Sequence, residues 1–558
     1  MFELIFAIFI TTLVIYGQGI AFNNYIIRNV NLNNNFFETF FFGFIFLGFN
    51  TLLINFLFPI NKIVGTIIFI LSTLVLIVEL IKNRKIKLLV VKFAILIFIT
   101  FFLIAFSNVN RPDAGLYHLP YTSIINENKI IIGLTNLHFR FGHISIMQYI
   151  SSAFNNTLIP LQSISIPSAL IFSSFMLFVF SSLKETLKKN DFQNSLIYFL
   201  TFVISVYSYN RFSEYGNDTP AHIFFLLFFI YILTKEKNNK LFSSIILIST
   251  FLFLLKPFMA ILITLIFYLF IKQKNKIGIL FDKKIIFSIL FLTLWLIKNT
   301  LISGCLIYPI SKLCSEKLIF SDIDKTKIEQ VSGEAWSKDW SNYKDKKYSI
   351  QQYNKNFRWL DTWYNNHLKI IIEKFFPILV FLILIYFFLQ INKKNNLKTN
   401  KVSDDHILII FFLTFVLIWF IKFPLYRYGS SFLIALSIYI LFIITKKFDY
   451  SNKSKNFNLM INYILIFSII LFFAKNSLRI FNDYKNKQYF PQIFSLIENN
   501  QLKPSKFKKV NLENKGNYYF SNGELCMYSR SPCTHIKLND IVFKKSYRYK
   551  MFYKKKNK

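Results

Sequence analysis

Apolar runs of roughly 16 to 22 residues recur along the chain, separated by short polar or basic connections. Each approaches the roughly 20 residues that a helix needs to cross the hydrocarbon core of a bilayer. The runs fall at about 3–22, 37–57, 62–82, 88–107, 166–183, 193–209, 220–234, 241–256, 258–271, 285–302, 370–392, 406–422, 428–445 and 458–475. The expectation is an all-α polytopic membrane protein with about 12–14 transmembrane helices. The two runs that meet at Lys256-Pro257 are short, and either suits a re-entrant segment. No small-residue cleavage site closes the first run, so it reads as a membrane helix and not as a removed leader.

The connections orient these spans. "KNRKIK" (82–87), "KETLKK" (184–189), "KEKNNK" (235–240), "KQKNKIGILFDKK" (272–284), "KKNNLKTNK" (393–401) and "KKFDYSNKSK" (446–455) fall at alternate connections. The positive-inside rule assigns them to the cytoplasm. The outer side then receives 108–165, 209–219, the Lys256-Pro257 turn, 303–369, the turn near Pro424 and the tail from 476. That tail is basic, but long segments translocate largely regardless of charge.

Composition agrees. The 558 residues are 54% hydrophobic and only 17% charged, with 70 Phe, where a soluble domain carries about a quarter charged. The net charge of +37 would suggest nucleic acid on a soluble chain. Here the basic residues sit in short loops, with no basic helix, zinc-finger spacing or RNA-binding signature, so no nucleic-acid partner is expected. The four cysteines, Cys305, Cys314, Cys526 and Cys533, all fall on the outer side, where an oxidising compartment permits disulfides. Spacing makes Cys305/Cys314 and Cys526/Cys533 the natural local pairs; the alternative is four separate thiols. No CxxC is present, which weakens zinc and thioredoxin-like readings.

Ionisable residues gather on that outer face. The stretch "NVNRPDAGLYHLPYTSIINENKIIIGLTNLHFRFGHISIMQYI" (108–150) carries Asp113, His118, His138, Arg140 and His143. Tyr117, Tyr121, Ile124 and Ile125 follow helical spacing, as do Ile144, Met147, Ile150 and Phe154. Such stretches suit interfacial helices flanking the turn that bears Asp113. A partly desolvated aspartate there can take a proton from a hydroxyl; the plainer alternative is a helix cap or a solvated loop carboxylate. "RFSEYGNDTPAHI" (211–223) places Arg211, Glu214, Asp218 and His222 in one short turn. It suits a metal or a sugar hydroxyl, or simply a solvated turn before a helix that starts at Pro220.

Four further features complete the face. Lys256 in "LLKPF" either snorkels to the interface or meets a phosphate. Lys298, Asn299 and Gly304 lie where a helix exits in "WLIKNTLISGCLIYP" (295–309). The loop 303–369 holds Trp336, Trp340, Trp359 and Trp363, four of the six Trp. They suit an interfacial belt or stacking on sugar rings. Arg427 in "FPLYRYGSSF" begins a helix on the outer side, a position suited to a lipid-linked phosphate. A base, several cations and aromatic platforms together fit group transfer from a membrane-bound phosphate carrier.

The order of these features resembles the GT-C superfamily: many membrane helices, an acidic motif in a first large outer loop with interfacial helices, then further outer motifs. "DAGLYHLP…GLTNLHFRFG", "W..KN..SG..IYP", "RYG" and the late "C…SPCT" are similar to a group of GT-C-like bacterial membrane proteins. The likeness runs from about Leu88 to Thr534. It implies sugar transfer from a polyprenyl-phosphate donor to a glycan, lipid or protein acceptor, usually with inversion. The active site would face the periplasm from the bacterial cytoplasmic membrane. It implies that Asp113 activates the acceptor, that Glu214 and Asp218 form a loose second carboxylate loop, and that Lys298 and Arg427 meet the donor phosphate. His118, His138, Arg140, Lys256, Asn299 and Trp336 join the expected substrate-binding set. Some relatives need a divalent metal, magnesium or manganese, and no clear ligand set here decides the matter.

The division that follows is an N-terminal transmembrane addition (1–87), a GT-C-like module (88–475) and a small α+β periplasmic segment (476–558). About three spans precede the one leading to Asp113, where a minimal GT-C module has one. In the last segment "FPQIFSLIENN" reads as helix and "GNYYFSNGELCMYSRSPCTHI" as strand and turn. Two other classes compete. An O-antigen ligase or polymerase depends mainly on outer-loop arginines. A lipid-linked glycan flippase or transporter would place charged sites at midmembrane in repeated halves; here the ionisable groups crowd one face and no matching halves are seen.

Overall fold

A computed structural model describes residues 2–27, 36–82, 86–104, 113–209, 215–234, 239–273, 276–344, 347–391, 394–397, 403–446, 448–449, 454–486, 507–522, 525–538 and 540–555. Its helices are α1 (Phe2–Phe22), α2 (Glu38–Leu57), α3 (Lys62–Lys82), α4 (Ile86–Ile104), α5 (Leu119–Glu127), α6 (Ile146–Ser152), α7 (Ile166–Lys188), α8 (Phe192–Ser208), α9 (Asp218–Thr234) and α10 (Asn239–Leu255). There follow α11 (Ile263–Ile271), α12 (Lys276–Leu280), α13 (Lys283–Ser303), α14 (Ile323–Ser337), α15 (Ile350–Tyr353), α16 (Leu360–Trp363), α17 (Lys369–Ile391), α18 (Ser403–Lys422), α19 (Tyr426–Lys446) and α20 (Ser454–Asn486).

Every apolar run read from the sequence maps to one of these helices, with 258–271 split between a 3₁₀ segment and α11. Among the described residues, 8 helices are long and apolar enough to cross a membrane by length and composition, and shorter apolar helices stand among them. The structure thus shows a mostly helical chain whose composition suits a multi-pass membrane protein. Local chemistry sets the helix starts. Pro120, Pro167 and Pro220 sit in first turns, where the missing N–H removes no helical bond. After α10 the chain turns at Lys256 into a 3₁₀ segment, Pro257–Leu262, before α11.

One apolar core is continuous from Leu4 to Phe552. The first three helices belong to it. Phe22 meets Phe287 of α13 edge-on at 5.2 Å, and Phe41 of α2 meets both Phe178 and Phe224 at 5.7 Å. Asn55 at the end of α2 donates to the Asn128 carbonyl at 3.0 Å. Residues 1–87 therefore share their core with the helices that follow.

The C-terminal segment is small and stranded. Apart from the antiparallel pair β1 (Lys394–Leu397) and β2 (Phe448–Asp449), which lies between the long helices, β3 (Lys508–Asn511) pairs antiparallel with β4 (Asn517–Phe520), and β4 pairs parallel with β5 (Cys533–Thr534). β6 (Ile541–Ser546) and β7 (Tyr549–Lys554) form a hairpin. "FPQIFSLIENN" (490–500) lies outside the described residues. The segment docks on the 113–165 loop. Ile132 N–H donates to the Lys550 carbonyl and Phe552 N–H to the Ile132 carbonyl, both at 2.9 Å. Glu127 accepts from the Ser531 N–H at 2.8 Å, and Lys550 Nζ donates to Asn128 Oδ1 at 2.7 Å. Cys305–Cys314 and Cys526–Cys533 are disulfide-bonded.

Candidate functional site

Asp113 stands immediately before a π-helical turn, Ala114–His118, that feeds α5. Arg140 comes from the 3₁₀ turn Phe139–Gly142. Its guanidinium donates to Asp113 Oδ1 at 2.6 Å, and each side chain is about one-third exposed. Arg427, in the first turn of α19, reaches the other carboxylate oxygen at 3.8 Å. It also donates to the Tyr428 hydroxyl at 2.8 Å. Across Tyr428 lies a second ion pair. Lys256 donates to Asp218 Oδ1 at 2.5 Å, and its ammonium sits 3.9 Å from the Tyr428 ring centroid. Tyr117 stacks beside Arg140 at 5.6 Å.

Four stretches distant in sequence thus deliver two carboxylates, three cations and two phenols to one place. The groups are paired yet partly exposed: Asp218 is 32% and Arg427 43% accessible at the side chain. Charges held together but still wetted can exchange partners with an anionic ligand at modest cost.

His118 completes the inner wall. Gln148 Nε2 lies 2.7 Å from His118 Nδ1. Gln148 Oε1 is occupied by the Ser145 N–H at 3.0 Å, as part of the capping box that starts α6. The Gln148 amide therefore donates, His118 Nδ1 accepts, and the ring proton sits on Nε2. Burial pushes the His118 imidazole down to about 4, against the pull of Asp113 and Asp218. It is a neutral donor at physiological pH.

Packing holds the cluster from two sides. Met527 of the disulfide loop Cys526–Cys533 donates its N–H to the Gly115 carbonyl at 3.0 Å. A Cβ on Gly115 would run into Met527 Sδ and Leu525, so glycine permits this close approach. On the other side, Trp363 Nε1 donates to the Pro424 carbonyl at 2.6 Å and Trp419 Nε1 to the Leu425 carbonyl at 2.9 Å. Those bonds fix the turn that presents Arg427. Gly429 lies directly against the Trp419 indole, where a side chain would collide.

The structure sorts the residues expected from the sequence. Asp113, His118, Arg140, Asp218, Lys256 and Arg427 come together. Glu214 and Arg211 lie outside the described residues. His222 is buried, bonded to Ser431 Oγ at 2.8 Å and to the Arg427 carbonyl at 2.7 Å, and positions the Arg427 backbone. His138 is buried on the far side of Arg140, with Nδ1 accepting the Arg140 N–H at 3.2 Å.

Two expectations change. Lys298 is 1% exposed, with its ammonium 3.4 Å from the Trp295 ring centroid and 6.0 Å from that of Tyr149, beneath the loop and not in the cluster. Its helix face points into the core, which no local motif reveals. Asn299 donates to the Leu306 carbonyl at 3.1 Å and holds the exit of α13. Trp336 is 58% exposed, whereas Trp359 and Trp363 are buried in a private aromatic core with Tyr353 and Ala335.

Tyr117, Tyr428 and Gln148 escaped notice as site residues. Tyr428 adjoins Arg427 in "RYG", and Ser145-x-x-Gln148 is a legible capping signature. The C-terminal wall had no local signal.

The described residues contain no group of three or more His, Cys, Asp or Glu able to hold a metal ion. Asp113 and Asp218 each carry a cationic side chain within 2.6 Å. Those donors do not fit a divalent cation, since Arg140 and Lys256 already supply the positive charge.

Comparison with curated proteins and with solved structures finds no match. Residues 1–434, a span that includes every residue of the Asp113 cluster, match the family described as "Domain of unknown function (DUF8201)", and the chain belongs to that family.

Proposed function

We propose that this chain is a GT-C-like glycosyltransferase of the bacterial cytoplasmic membrane, working on its periplasmic face with a polyprenyl-phosphate sugar. One observation carries the reading: Asp113, Arg140, Asp218, Lys256 and Arg427 converge on one half-exposed surface at the ends of apolar helices. Asp113 is the general base. An acceptor hydroxyl oxygen forms the new bond to the anomeric carbon and gives its proton to the carboxylate. The bond from that carbon to the donor phosphate breaks, and its electron pair stays on the phosphate oxygen. Lys256 and Arg427 stabilise the charge that develops there, a contribution of about 10²–10³ in rate per donor in comparable sites. His118 Nε2–H serves as a neutral donor to a substrate oxygen.

The test is a transfer assay on the purified chain in lipid nanodiscs. Radiolabelled polyprenyl-phosphate sugars are offered with a membrane extract as acceptor, beside Asp113→Asn and Lys256→Met. Transfer by the wild type, lost in both variants, is the expected result. Absence of turnover with every donor, from a folded chain, would overturn the reading.

A second reading draws support from the two guanidinium groups on Asp113. In an O-antigen ligase-type enzyme the arginines act and Asp113 positions them. Asp113→Asn would then keep most activity while Arg427→Gln loses it, and a lipid-linked oligosaccharide would replace the monosaccharide donor.

A further inference from the structure

The β6–β7 hairpin ends in a turn that packing does not account for. Ser546 pairs with Tyr549, so Tyr547 and Arg548 form a two-residue loop. Such loops favour Gly, Asn or Asp where φ is positive. Here the residue with φ 53° is Tyr547, and it is 96% exposed. A bulky aromatic held in that conformation, with its ring in solvent, gains nothing from the rest of the chain, and such positions point to a use outside it. Lys544 and Lys545 precede the tyrosine and Arg548 follows it. All three are exposed, and none has a hydrogen bond or ion pair among the described residues. Glu127, at the end of α5 nearby, already accepts from the Ser531 N–H at 2.8 Å and from its hydroxyl at 2.9 Å.

Contacts place this tip beside the end of a membrane-length helix. Tyr549, the residue that closes the turn, donates its hydroxyl to the Phe56 carbonyl in the last turn of α2 at 2.7 Å. Lys550 bonds Asn128, and the next residue, Lys129, holds its ammonium 5.7 Å from the Phe58 ring. The connection from α2 to α3 at that end is apolar and open, with Leu57, Phe58 and Ile63 each more than half exposed. On α3 itself Ile67, Ile70, Leu71 and Leu74 form an exposed stripe at helical spacing. Both helices have the length and composition of membrane spans, so this stripe suits lipid. An exposed tyrosine and unpaired cations at the end of a lipid-facing helix are the parts of an interfacial anchor. The ring sits at headgroup level and the cations meet phosphate.

We infer that the hairpin tip, Tyr547 with Lys544, Lys545 and Arg548, docks on the bilayer surface and binds anionic phospholipid headgroups. The anchor bears on the Asp113 cluster through the chain it holds. β7 bonds Ile132 on both sides of that residue, and Asn136 donates to the Phe552 carbonyl at 3.1 Å. The hairpin thereby fixes the stretch between Asp113 and Arg140 at a set height above the lipid. The inference rests on the membrane reading of the apolar helices and not on sugar transfer.

The two disulfides occupy all four cysteines, so Tyr547→Cys supplies a single thiol for a nitroxide label. The labelled full chain is placed in nanodiscs of phosphatidylcholine, with or without phosphatidylglycerol. Collision of the label with a water-borne nickel complex and with lipid-borne oxygen separates a seated tip from a wetted one. The tip should be seated when anionic lipid is present. Lys545→Gln and Arg548→Gln should each lower the seated-to-wetted ratio about fivefold, the attraction expected of one basic residue near an anionic surface. A companion label at Leu71→Cys, midway along α3, reports the membrane itself. Leu71 in lipid with a wetted tip in both discs would overturn the anchor alone. A wetted Leu71 would overturn the membrane reading and the anchor with it. Equal seating in both discs would overturn the headgroup assignment. Spin–spin broadening in place of lipid contact would show a second copy of the chain on the tip and overturn the anchor as well.

Discussion

Two regions of the molecule use the same residue types in opposite ways. The loop 303–369 is rich in aromatic and charged side chains and satisfies them largely within itself. Trp359 is 1% exposed among Tyr353, Trp363 and Phe420, and Lys338 bonds Glu334 four residues away on α14 at 2.7 Å. The Asp113 region gathers its partners from stretches up to 314 positions apart, the distance from Asp113 to Arg427, and leaves them partly wetted. A loop that closes its own interactions acts as a buttress. A cluster that imports charges and leaves them open to solvent can exchange them with a ligand. The buttress serves the cluster, because the Trp363 bond to the Pro424 carbonyl holds the turn that presents Arg427.

The contrast can be broken most forcefully at Asp113. Asp113→Asn should lower transfer by about 10²–10⁴-fold with an unchanged melting temperature. A fall in melting temperature with retained transfer would move Asp113 to the structural side of the comparison. Trp359→Ala tests the buttress and should destabilise the chain by about 3–5 kcal/mol, read as a lowered melting temperature in nanodiscs. On the proposed reading, any residual folded chain should keep its KM for acceptor, since Trp359 touches no proposed substrate group.

Acid sharpens the picture at His118. Its folded value of about 4 lies below the ordinary 6.5. Between those values the unfolded chain binds the proton that the folded chain refuses. The stability it contributes is complete above pH 6.5 and is lost as pH falls toward 4, by up to about 1.4 kcal/mol per pH unit. The melting temperature of the wild type minus that of His118→Gln should decline across this window. A flat difference would show that His118 is charged in the folded state. Smallest of all, Trp336→Ala should change stability by no more than about 0.5 kcal/mol, because its ring is more than half exposed. A large loss of transfer there would restore the sugar-stacking role to the aromatic loop.

The helices were legible in the chain because membrane-length apolar runs carry their own signal, and each run expected has its helix. Cys305/Cys314 and Cys526/Cys533 were legible from short spacing, which leaves little choice of partner. Segments that the alternating basic connections group together do touch, through Arg427–Asp113, Lys256–Asp218 and Trp363–Pro424. Lys298 marks where local pattern failed. A lysine at a helix exit looks the same in sequence whether its side chain turns to solvent or, as here, lies against Trp295. Equally, four tryptophans in a loop give no sign of which will bury one another.

What the sequence determined by itself was therefore the set of apolar helices, their basic connections and the short disulfide loops, because hydropathy, charge and close spacing act locally. Tertiary structure alone decided which ionisable groups meet. Arg140 and Arg427 share Asp113, Gln148 sets the proton on His118, and the disulfide loop Cys526–Cys533 walls the turn at Gly115. Those contacts depend on how helix ends are arranged around one continuous core, and the shape of that arrangement is a property of packing, which no short stretch of sequence contains.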